Sequence, residues 1–454
     1  MNFTRAIETL FRRFLPSPFT IAVLLTLVTI LLALVFTNTD SETPQLLNIL
    51  SYWQEGIWND ALLVFAYQMM LILVLGHVLV LSTPVNRLIL MVSKSVTGTV
   101  SAVIFVSVTT MLVAFFNWGL GLIFGAVLAR KIGEYAQAEN IPLNYPVVGA
   151  SGYVGLMVWH GGISGSAPIK VAESGHLAEI MQTINPTVTL PDAIAYNQTV
   201  FSWWNLTLFA ILLILVPLVL ALIAKKLKPT THHLSTYTVN DNSISSETSG
   251  KLDKSRVFAL FFGMLMLFSW LYFYRENLRI LQITPNMLNV FMFALALLLH
   301  GTFNHFFNAL NEAIKGTTGI LIQFPLYFGI MGIMKSSGLI VLIASGVSSF
   351  ATSTTLPIWT FFSAGLVNVF VPSGGGQWAV QGPIVIETAL QLGVPLPKAI
   401  MALAYGDQIT NMLQPFWALP LLAITQLKAK EILPYTLIVM LVGILVYTVG
   451  LLLI

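Results

Sequence analysis

The chain has 454 residues, of which 56% are hydrophobic and 9% charged. Soluble domains carry charge on about a quarter of their residues, so the composition excludes a soluble protein and predicts an all-α polytopic membrane protein. The absence of cysteine excludes disulfides, thiolate metal sites and cysteine nucleophiles, and no nucleic-acid partner is predicted at a net charge of +3.

Charge placement predicts the side of the membrane on which the chain begins. Arg5, Arg12 and Arg13 precede the first apolar run, whereas the loop at residues 37–60 holds acidic residues but neither lysine nor arginine. Basic residues accumulate on the cytoplasmic side, so we expect a cytoplasmic N-terminus. Residues 17–82 are then two scaffold spans that leave the cytoplasm and return to it.

The next apolar run is interrupted in its middle. It breaks at Asn117, Trp118 and Gly119 and ends at Arg130 and Lys131. Because both ends are basic, we interpret residues 96–131 as a re-entrant hairpin that enters from the cytoplasm and returns there. Two full spans are the alternative, since residues 96–130 are long enough for a tight pair.

The rest of the first half, residues 1–224, contains a second interrupted run. Residues 145–181 are predicted to form a broken helix with its break at residues 160–168, and residues 200–224 form a span that ends in lysines. Residues 225–256 are rich in serine, threonine and asparagine, which predicts a flexible cytoplasmic linker between two halves.

The second half, residues 257–454, repeats this plan after an extra span. Scaffold spans are predicted within residues 257–334, a hairpin at 354–392, a broken helix at 398–427 and a last span at 433–454. The total is about nine transmembrane helices, two re-entrant hairpins and two broken helices. The odd number of crossings between the hairpins inverts the second repeat, so its hairpin enters from outside.

The two halves share the order of a Gly-rich break, a Pro-Leu step and a second break. The spacing between Gly121 and Gly374 recurs between Pro142 and Pro395. Irregular backbone within the bilayer is tolerated only where it is buried in protein or lines a cavity. Breaks in corresponding positions of two halves indicate the binding site of a transporter.

The residue types at the breaks predict an anion site. Half-helices that end within the membrane present free N–H groups and a positive dipole end to a carboxylate, and glycines let the backbone approach it. Close helix packing is the alternative role of the glycines. The predicted substrate residues are Asn117, Trp118, Gly119, Gly121, His160, Gly161, Gly162, Ser164, Ser166, Ser373, Gly374, Gly375, Gly376, Gln377 and Trp378.

The broken helices also supply oxygens for a coupling cation. An acid at membrane depth is by default functional, and Asp407 is such an acid, with a structural helix cap as the alternative. Na⁺ near Asp407, Thr410 and Asn411 is mildly favoured over protons, although His160 could carry a proton or stay neutral. No other cofactor is predicted. The predicted coupling residues are Asn117, Ser164, Asn368, Asp407, Thr410 and Asn411.

A competing motif belongs to a different class of protein. Gly162, Ile163, Ser164 and Gly165 match the G-x-S-G of rhomboid intramembrane proteases, and His160 is close in sequence. A serine nucleophile needs a base within hydrogen-bond reach. The motif is short, and it leaves the second half of the duplication without a role. No catalytic residue is therefore predicted.

Three strings carry a resemblance over nearly the whole chain. WHGGISGSAP at residue 159, VPSGGGQWAVQGP at residue 371 and GDQITNMLQPFWALP at residue 406 resemble the AtoE family of bacterial short-chain fatty acid transporters. The third string is also similar to the ion transporter superfamily. The resemblance implies inverted repeats, an elevator-type mobile domain on a dimeric scaffold, and a location in the bacterial inner membrane.

These observations predict a secondary active transporter for small monocarboxylates such as acetoacetate or butyrate. It would lie in the lipid bilayer as a homodimer and be driven by Na⁺ or H⁺, because no ATP-binding motif is present. The alternatives are a dicarboxylate or aminoacyl substrate on the same fold, or a passive channel. The absence of lysine and arginine near the breaks argues against a dicarboxylate.

Overall fold

The computed structural model describes residues 15–38, 42–85, 87, 91, 94–182, 189–230, 233–234, 250–279 and 284–454. Within these residues every regular element is a helix. The arginines that precede the first span and most of the predicted linker lie outside the described residues.

The chain begins with three helices, α1 (Pro18–Phe36), α2 (Gln45–Ile57) and α3 (Asp60–Leu81). Helices α1 and α3 match the predicted scaffold spans, whereas α2 occupies the predicted external loop. Helix α2 was not predicted from the sequence, because this helix is short and amphipathic rather than uniformly apolar.

The first interrupted run forms two helices, α4 (Thr99–Phe116) and α5 (Trp118–Ala138), which meet at Asn117. The backbone of Asn117 is extended, and its side chain accepts a hydrogen bond from the Leu120 N–H at 2.9 Å. Asn117 therefore ends one helix and caps the next. Helix α5 continues beyond the predicted hairpin end at residue 131.

Glu134 lies in this part of α5 and corrects one expectation. From the sequence, Glu134 and its counterpart Glu387, 253 residues later, lie near the outer ends of the two predicted hairpins, where solvated interface is expected for both. Instead Glu134 is largely buried, and its carboxylate lies 2.7 Å from Arg130 Nε and 2.8 Å from Lys131 Nζ. Both cations are buried as well. The basic end of the run is thus a paired cluster inside the protein, which weakens the charge argument for the first hairpin.

The second interrupted run is broken over a longer stretch than predicted. Helix α6 (Tyr145–Ser151) is followed by a 3₁₀ turn (Val154–Met157) and by turns up to α7 (Ser166–Val171) and α8 (His176–Met181). The predicted break at residues 160–168 starts too late, because regular helix already ends at Gly152. Helix α9 (Trp203–Ala224) completes the first half.

The second half begins with six helices. They are α10 (Arg256–Phe273), α11 (Arg275–Arg279), α12 (Pro285–His300), α13 (Phe303–Ala313), α14 (Thr318–Ser336) and α15 (Leu339–Ser348). Three of them, α10, α12 and α14, match the predicted scaffold spans, whereas α13 and α15 fall where no span was predicted. Helix α10 exposes large apolar side chains along its length, as a lipid-facing helix does.

The remaining helices form the second hairpin and the elements after it. They are α16 (Leu356–Phe370), α17 (Gly374–Gln391), α18 (Leu396–Ile409), a 3₁₀ turn (Thr410–Met412), α19 (Pro415–Thr425) and α20 (Ala429–Leu453). Ser373 caps α17 by accepting a hydrogen bond from the Gly376 N–H at 3.2 Å. Most of the chain shares one apolar core, while α7, α8, α17 and α18 enclose a smaller one.

Seven helices of the described residues are long and apolar enough to cross a membrane: α1, α3, α4, α9, α10, α14 and α20. Three shorter apolar helices, α12, α16 and α19, accompany them. The chain is therefore a multi-pass helical membrane protein, as its composition predicted.

Candidate functional site

The two broken helices meet at a buried histidine–aspartate pair. His160 Nδ1 is hydrogen-bonded to Asp407 Oδ2, and both side chains are inaccessible to solvent. The Ala167 N–H donates to His160 Nε2 at 3.0 Å, so this nitrogen is an acceptor and carries no proton. The hydrogen bond between Nδ1 and Oδ2 therefore holds a proton. The other carboxylate oxygen, Asp407 Oδ1, is buried without a hydrogen-bond partner.

Gln408 positions the histidine through the backbone. Its Oε1 accepts hydrogen bonds from the N–H groups of His160 at 2.7 Å and Gly161 at 3.1 Å. Its Nε2 donates to the Tyr447 hydroxyl at 2.7 Å, and that hydroxyl donates to the Met157 carbonyl at 3.0 Å. The irregular segment of the first half is therefore fixed to α18 and α20 of the second half.

Asn205 supports the same segment from α9. Its Nδ2 donates to the Gly161 carbonyl at 2.9 Å, while its Oδ1 accepts from the Tyr405 hydroxyl at 2.6 Å. Three of these supporting residues were not among those predicted from the sequence: Asn205, Gln408 and Tyr447. Two signals were present: an amide within an otherwise apolar span, and a glutamine directly after Asp407.

The first hairpin tip is covered by the first broken segment. The Trp118 N–H donates to Ser164 Oγ at 2.9 Å, and the Ile163 N–H donates to the Phe115 carbonyl at 2.8 Å. The predicted tip glycines, Gly119 and Gly121, are buried. Ser164 and Asn117 thus use their side-chain oxygens as acceptors for backbone N–H groups of the tip.

Aromatic rings surround this tip. The ring centroid of Trp118 lies 5.1 Å from that of Trp417, 5.9 Å from that of Trp159 and 6.3 Å from that of Phe65. Trp159 in turn stacks on the His160 ring at 4.5 Å. The first tip therefore contributes an apolar wall next to the histidine–aspartate pair.

The second hairpin tip touches the same segment through Gly374. A Cβ on Gly374 would lie 2.7 Å from Trp159 Cη2, 2.9 Å from His160 Cε1 and 3.1 Å from Ser166 Oγ. Only glycine fits at such a distance. The next residue, Gly375, is exposed. The tip thus places the N-terminus of α17 close to His160 and Ser166.

Two of the predicted substrate residues on the second hairpin lie away from its tip. Gln377 is fully buried, and its Nε2 donates to the Ala364 carbonyl and to Gln381 Oε1, both at 2.9 Å. Trp378 is also buried, and its indole N–H donates to His176 Nε2 at 3.0 Å. These side chains hold the hairpin together rather than extending from it.

The predicted cation ligands divide between separate places. Asn368 Nδ2 donates to Thr410 Oγ1 at 2.9 Å and to Asn411 Oδ1 at 2.8 Å, so both oxygens already accept an amide hydrogen. Asp407 faces His160 instead. The three side chains predicted to surround a Na⁺ ion therefore do not point to one place, because Asp407 is hydrogen-bonded to His160 and the other two to Asn368. The described residues also contain no cluster of three or more His, Asp or Glu that could hold a metal.

The geometry also bears on the protease motif. Ser164 Oγ accepts the Trp118 N–H, while His160 directs one ring nitrogen to Asp407 and the other to the Ala167 N–H. Neither nitrogen of His160 is hydrogen-bonded to Ser164. The nucleophile–base contact that a serine hydrolase needs is therefore not formed by this pair.

Comparison with known proteins agrees with the resemblance seen in the sequence. The family model described as short chain fatty acid transporter matches residues 1–454. A candidate short-chain fatty acid transporter of Escherichia coli (strain K12) is 35% identical over 446 residues, which are 97% of this chain and 96% of that protein. One from Haemophilus influenzae (strain ATCC 51907 / DSM 11121 / KW20 / Rd) is 33% identical over 458 residues, 99% and 98% of the two chains.

Among solved structures, MtrF of Neisseria gonorrhoeae, described with a class of antimetabolite efflux pumps, covers 98% of this chain and 97% of its own. The identity is 17% and the TM-score is 0.39, too low to establish a shared fold.

Proposed function

Because the chain belongs to the short-chain fatty acid transporter family, we propose that it is a secondary active transporter that couples uptake of a small monocarboxylate to protons. The family consists of transporters and not of enzymes. The observation that supports the mechanism best is the close approach of Gly374 to His160, because it joins the anion-binding tip to a buried histidine–aspartate pair.

The carboxylate would bind at the N-terminus of α17. The N–H groups of the Gly-rich tip and the hydroxyls of Ser373 and Ser166 supply neutral donors, and the positive end of the helix dipole favours an anion. The ring of Trp159, with Trp118 of the first tip packed behind it, would cover the short alkyl chain. A small, mostly apolar ligand with one charge suits a site with this composition.

The proton would bind at the His160–Asp407 pair. With neutral imidazole and ionised carboxylate, the pair carries one negative charge beside the tip, which disfavours a second anion there. A further proton on Asp407 Oδ1, which is buried without a partner, would remove that charge. Proton and carboxylate then favour each other's binding, and such mutual dependence is the requirement for symport.

The proposal also covers the architecture and the membrane topology, which are inferred from the order of the helices along the chain. Each half contains a hairpin followed by a broken helix, which supports inverted repeats. We include in the proposal an elevator-type movement, a homodimer, and a bacterial inner-membrane location with a cytoplasmic N-terminus. Labelling a cysteine at Ser246 from outside in intact cells would contradict this topology.

The first test is uptake of labelled butyrate or acetoacetate into proteoliposomes with proton and Na⁺ gradients imposed separately. We expect accumulation with an inward proton gradient and none with a Na⁺ gradient alone. Accumulation that depends only on Na⁺ would exclude proton coupling. Downhill flux indifferent to both gradients would identify a passive channel, and no uptake at all would refute the substrate class.

A variant test examines the pair itself. Asp407→Asn removes the ionisable carboxylate, so we expect proton-driven accumulation to fall by about 5–150-fold, the range of ordinary coupling free energies, while butyrate exchange without a gradient persists. The matched control is Asp192→Asn, which makes the same change at an exposed aspartate outside the proposed site. Normal proton-driven accumulation by Asp407→Asn would exclude this role.

A further inference from the structure

A cavity of about 280 Å³ lies beside the second hairpin tip. Helix α2 contributes Tyr52 and Glu55 to its lining, helix α14 contributes Met331 and Lys335, and the hairpin contributes Gly376. Pockets that bind small molecules start at about 300 Å³. At slightly less than this volume, the cavity is too small for a drug-sized ligand but has room for a short metabolite, and it adjoins the tip proposed to bind the carboxylate.

One wall of the cavity is formed by α2 and α14 in backbone contact. A Cβ on Gly56 would lie 2.4 Å from the Phe328 carbonyl oxygen, and a Cβ on Gly332 would lie 2.3 Å from the Tyr52 carbonyl oxygen. No side chain separates the two helices at these positions. They act as a single wall, and the space lies between this wall and the second hairpin.

Two side chains of opposite charge line this space. Lys335 lies in the last turn of α14, and Glu55 lies close to the end of α2. The Ser51 hydroxyl donates to Glu55 Oε1 at 2.8 Å, which holds the carboxylate in place. The rest of the lining includes Met331 and Val380, which are apolar. The fold thus places Lys335 in a cavity beside the second hairpin tip, although the sequence shows no lysine or arginine near that tip.

We propose that this cavity binds one short-chain monocarboxylate on its way to the second hairpin tip, with Lys335 as the residue that recognises the carboxylate. The inference rests on the proposed function. The ammonium group attracts the anion, and the apolar lining accommodates its alkyl chain. Under the predicted topology α14 ends on the outer side, so the cavity receives substrate from outside the cell.

Glu55 would set the charge of the accepted ligand. A monocarboxylate places its only charge at Lys335 and leaves Glu55 with a neutral chain. A dicarboxylate of similar length would place its second charge in the same cavity as Glu55, and two like charges at short distance repel. The pair therefore selects against dicarboxylates, which remained an alternative substrate class from the sequence.

Thiol labelling tests the site without requiring transport. The chain has no cysteine, so Ala379→Cys places one thiol in the cavity lining. We expect butyrate to slow labelling of this thiol by a membrane-impermeant maleimide. Adding Lys335→Gln should raise the butyrate concentration that gives half-protection by about tenfold, because a charged hydrogen bond is lost. Lys335→Arg should largely restore it.

Matched controls separate a local effect from a general one. Lys226→Gln removes an exposed lysine that does not line the cavity and should leave protection unchanged. A thiol at the exposed Ser174 should not be protected by butyrate. Without butyrate, the thiol of Ala379→Cys should be labelled at the same rate with and without Lys335→Gln, which shows that the lysine variant is folded. Protection that is absent, or unchanged by Lys335→Gln, overturns the inference.

The selectivity between monocarboxylates and dicarboxylates gives a second test of the site. Succinate should not protect the thiol of Ala379→Cys, but should protect it once Glu55→Gln is added. No gain of succinate protection overturns the role of Glu55. The outcomes also separate the two proposals: butyrate protection without butyrate transport refutes the proposed function alone, whereas transport without protection refutes only this site.

Discussion

The two hairpin tips use the same capping device in different surroundings. At the first tip the Asn117 side chain caps α5, and at the second the Ser373 side chain caps α17. The first tip is covered by Ser164 and by aromatic rings, and the N–H groups of Trp118 and Leu120 have side-chain acceptors. The second tip has an exposed Gly375 and adjoins a cavity. Related local sequence therefore gives one tip that supports the site and one that remains open to ligand.

The difference arises in the partners of the tips. The first tip packs mainly against a segment of its own half, and an added Cβ on Gly162 would lie 2.3 Å from the Phe115 carbonyl oxygen. Its Trp118 ring also contacts Trp417 of the second half. The second tip meets His160 and Ser166 from the other half, so its position depends on how the two halves pack together.

The largest effect that would test this comparison is expected at Gly374. Gly374→Ala would place a methyl group against Trp159 and His160, so the tip must move away from them, and we expect uptake to fall about tenfold or more. Gly375→Ala is the matched variant, because its nearest neighbour is Ser166 Oγ at 4.0 Å. Uptake assays on both variants measure how much more transport Gly374→Ala loses than Gly375→Ala.

Full uptake by both alanine variants would contradict the close contact assigned to Gly374. An equally reduced uptake by both variants would show that any methyl group at the tip interferes, and the distinction between Gly374 and Gly375 would then be wrong.

A second effect, on stability rather than transport, is expected at the first tip. A Cβ on Gly121 would lie 2.5 Å from Ala114 Cα, so Gly121→Ala forces α4 and α5 apart and should cost about 1–3 kcal/mol. Gly119→Ala is the control, since its nearest neighbours lie at 3.6 Å and 3.7 Å. Thermal unfolding in detergent measures both, and the substrate KM of Gly121→Ala should stay unchanged. A raised KM would mean that the first tip binds substrate directly.

The positions of the two tips were predictable from the sequence. Asparagine or serine before glycine in an apolar run is a local signal, because such residues cap helices and interrupt them. The short-chain fatty acid transporter family was also predictable, and the comparisons confirm it. The elements α2, α13 and α15 were not found, because they are short and carry no span-length apolar run.

The contacts that join the halves could not be predicted. His160 meets Asp407 and Gln408 across 247 and 248 residues, and no local pattern specifies such a pairing. The same holds for Lys335, which the packing of α14 against α2 brings to the second tip. Asp407 was selected correctly as a buried acid, but its partner is a histidine rather than the oxygens of Thr410 and Asn411.

The smallest effect is expected from the caps, and it separates their structural role from binding. Asn117→Ala and Ser373→Ala each remove a side-chain acceptor from a helix N-terminus, which should cost about 1 kcal/mol of stability. The capping variants Asn117→Ser and Ser373→Asn should recover most of that loss. If only the second tip meets the ligand, Ser373→Ala also raises the KM for butyrate, whereas Asn117→Ala leaves it unchanged. A KM raised equally by both would show that the two tips share the ligand, and the contrast between them would be one of packing alone.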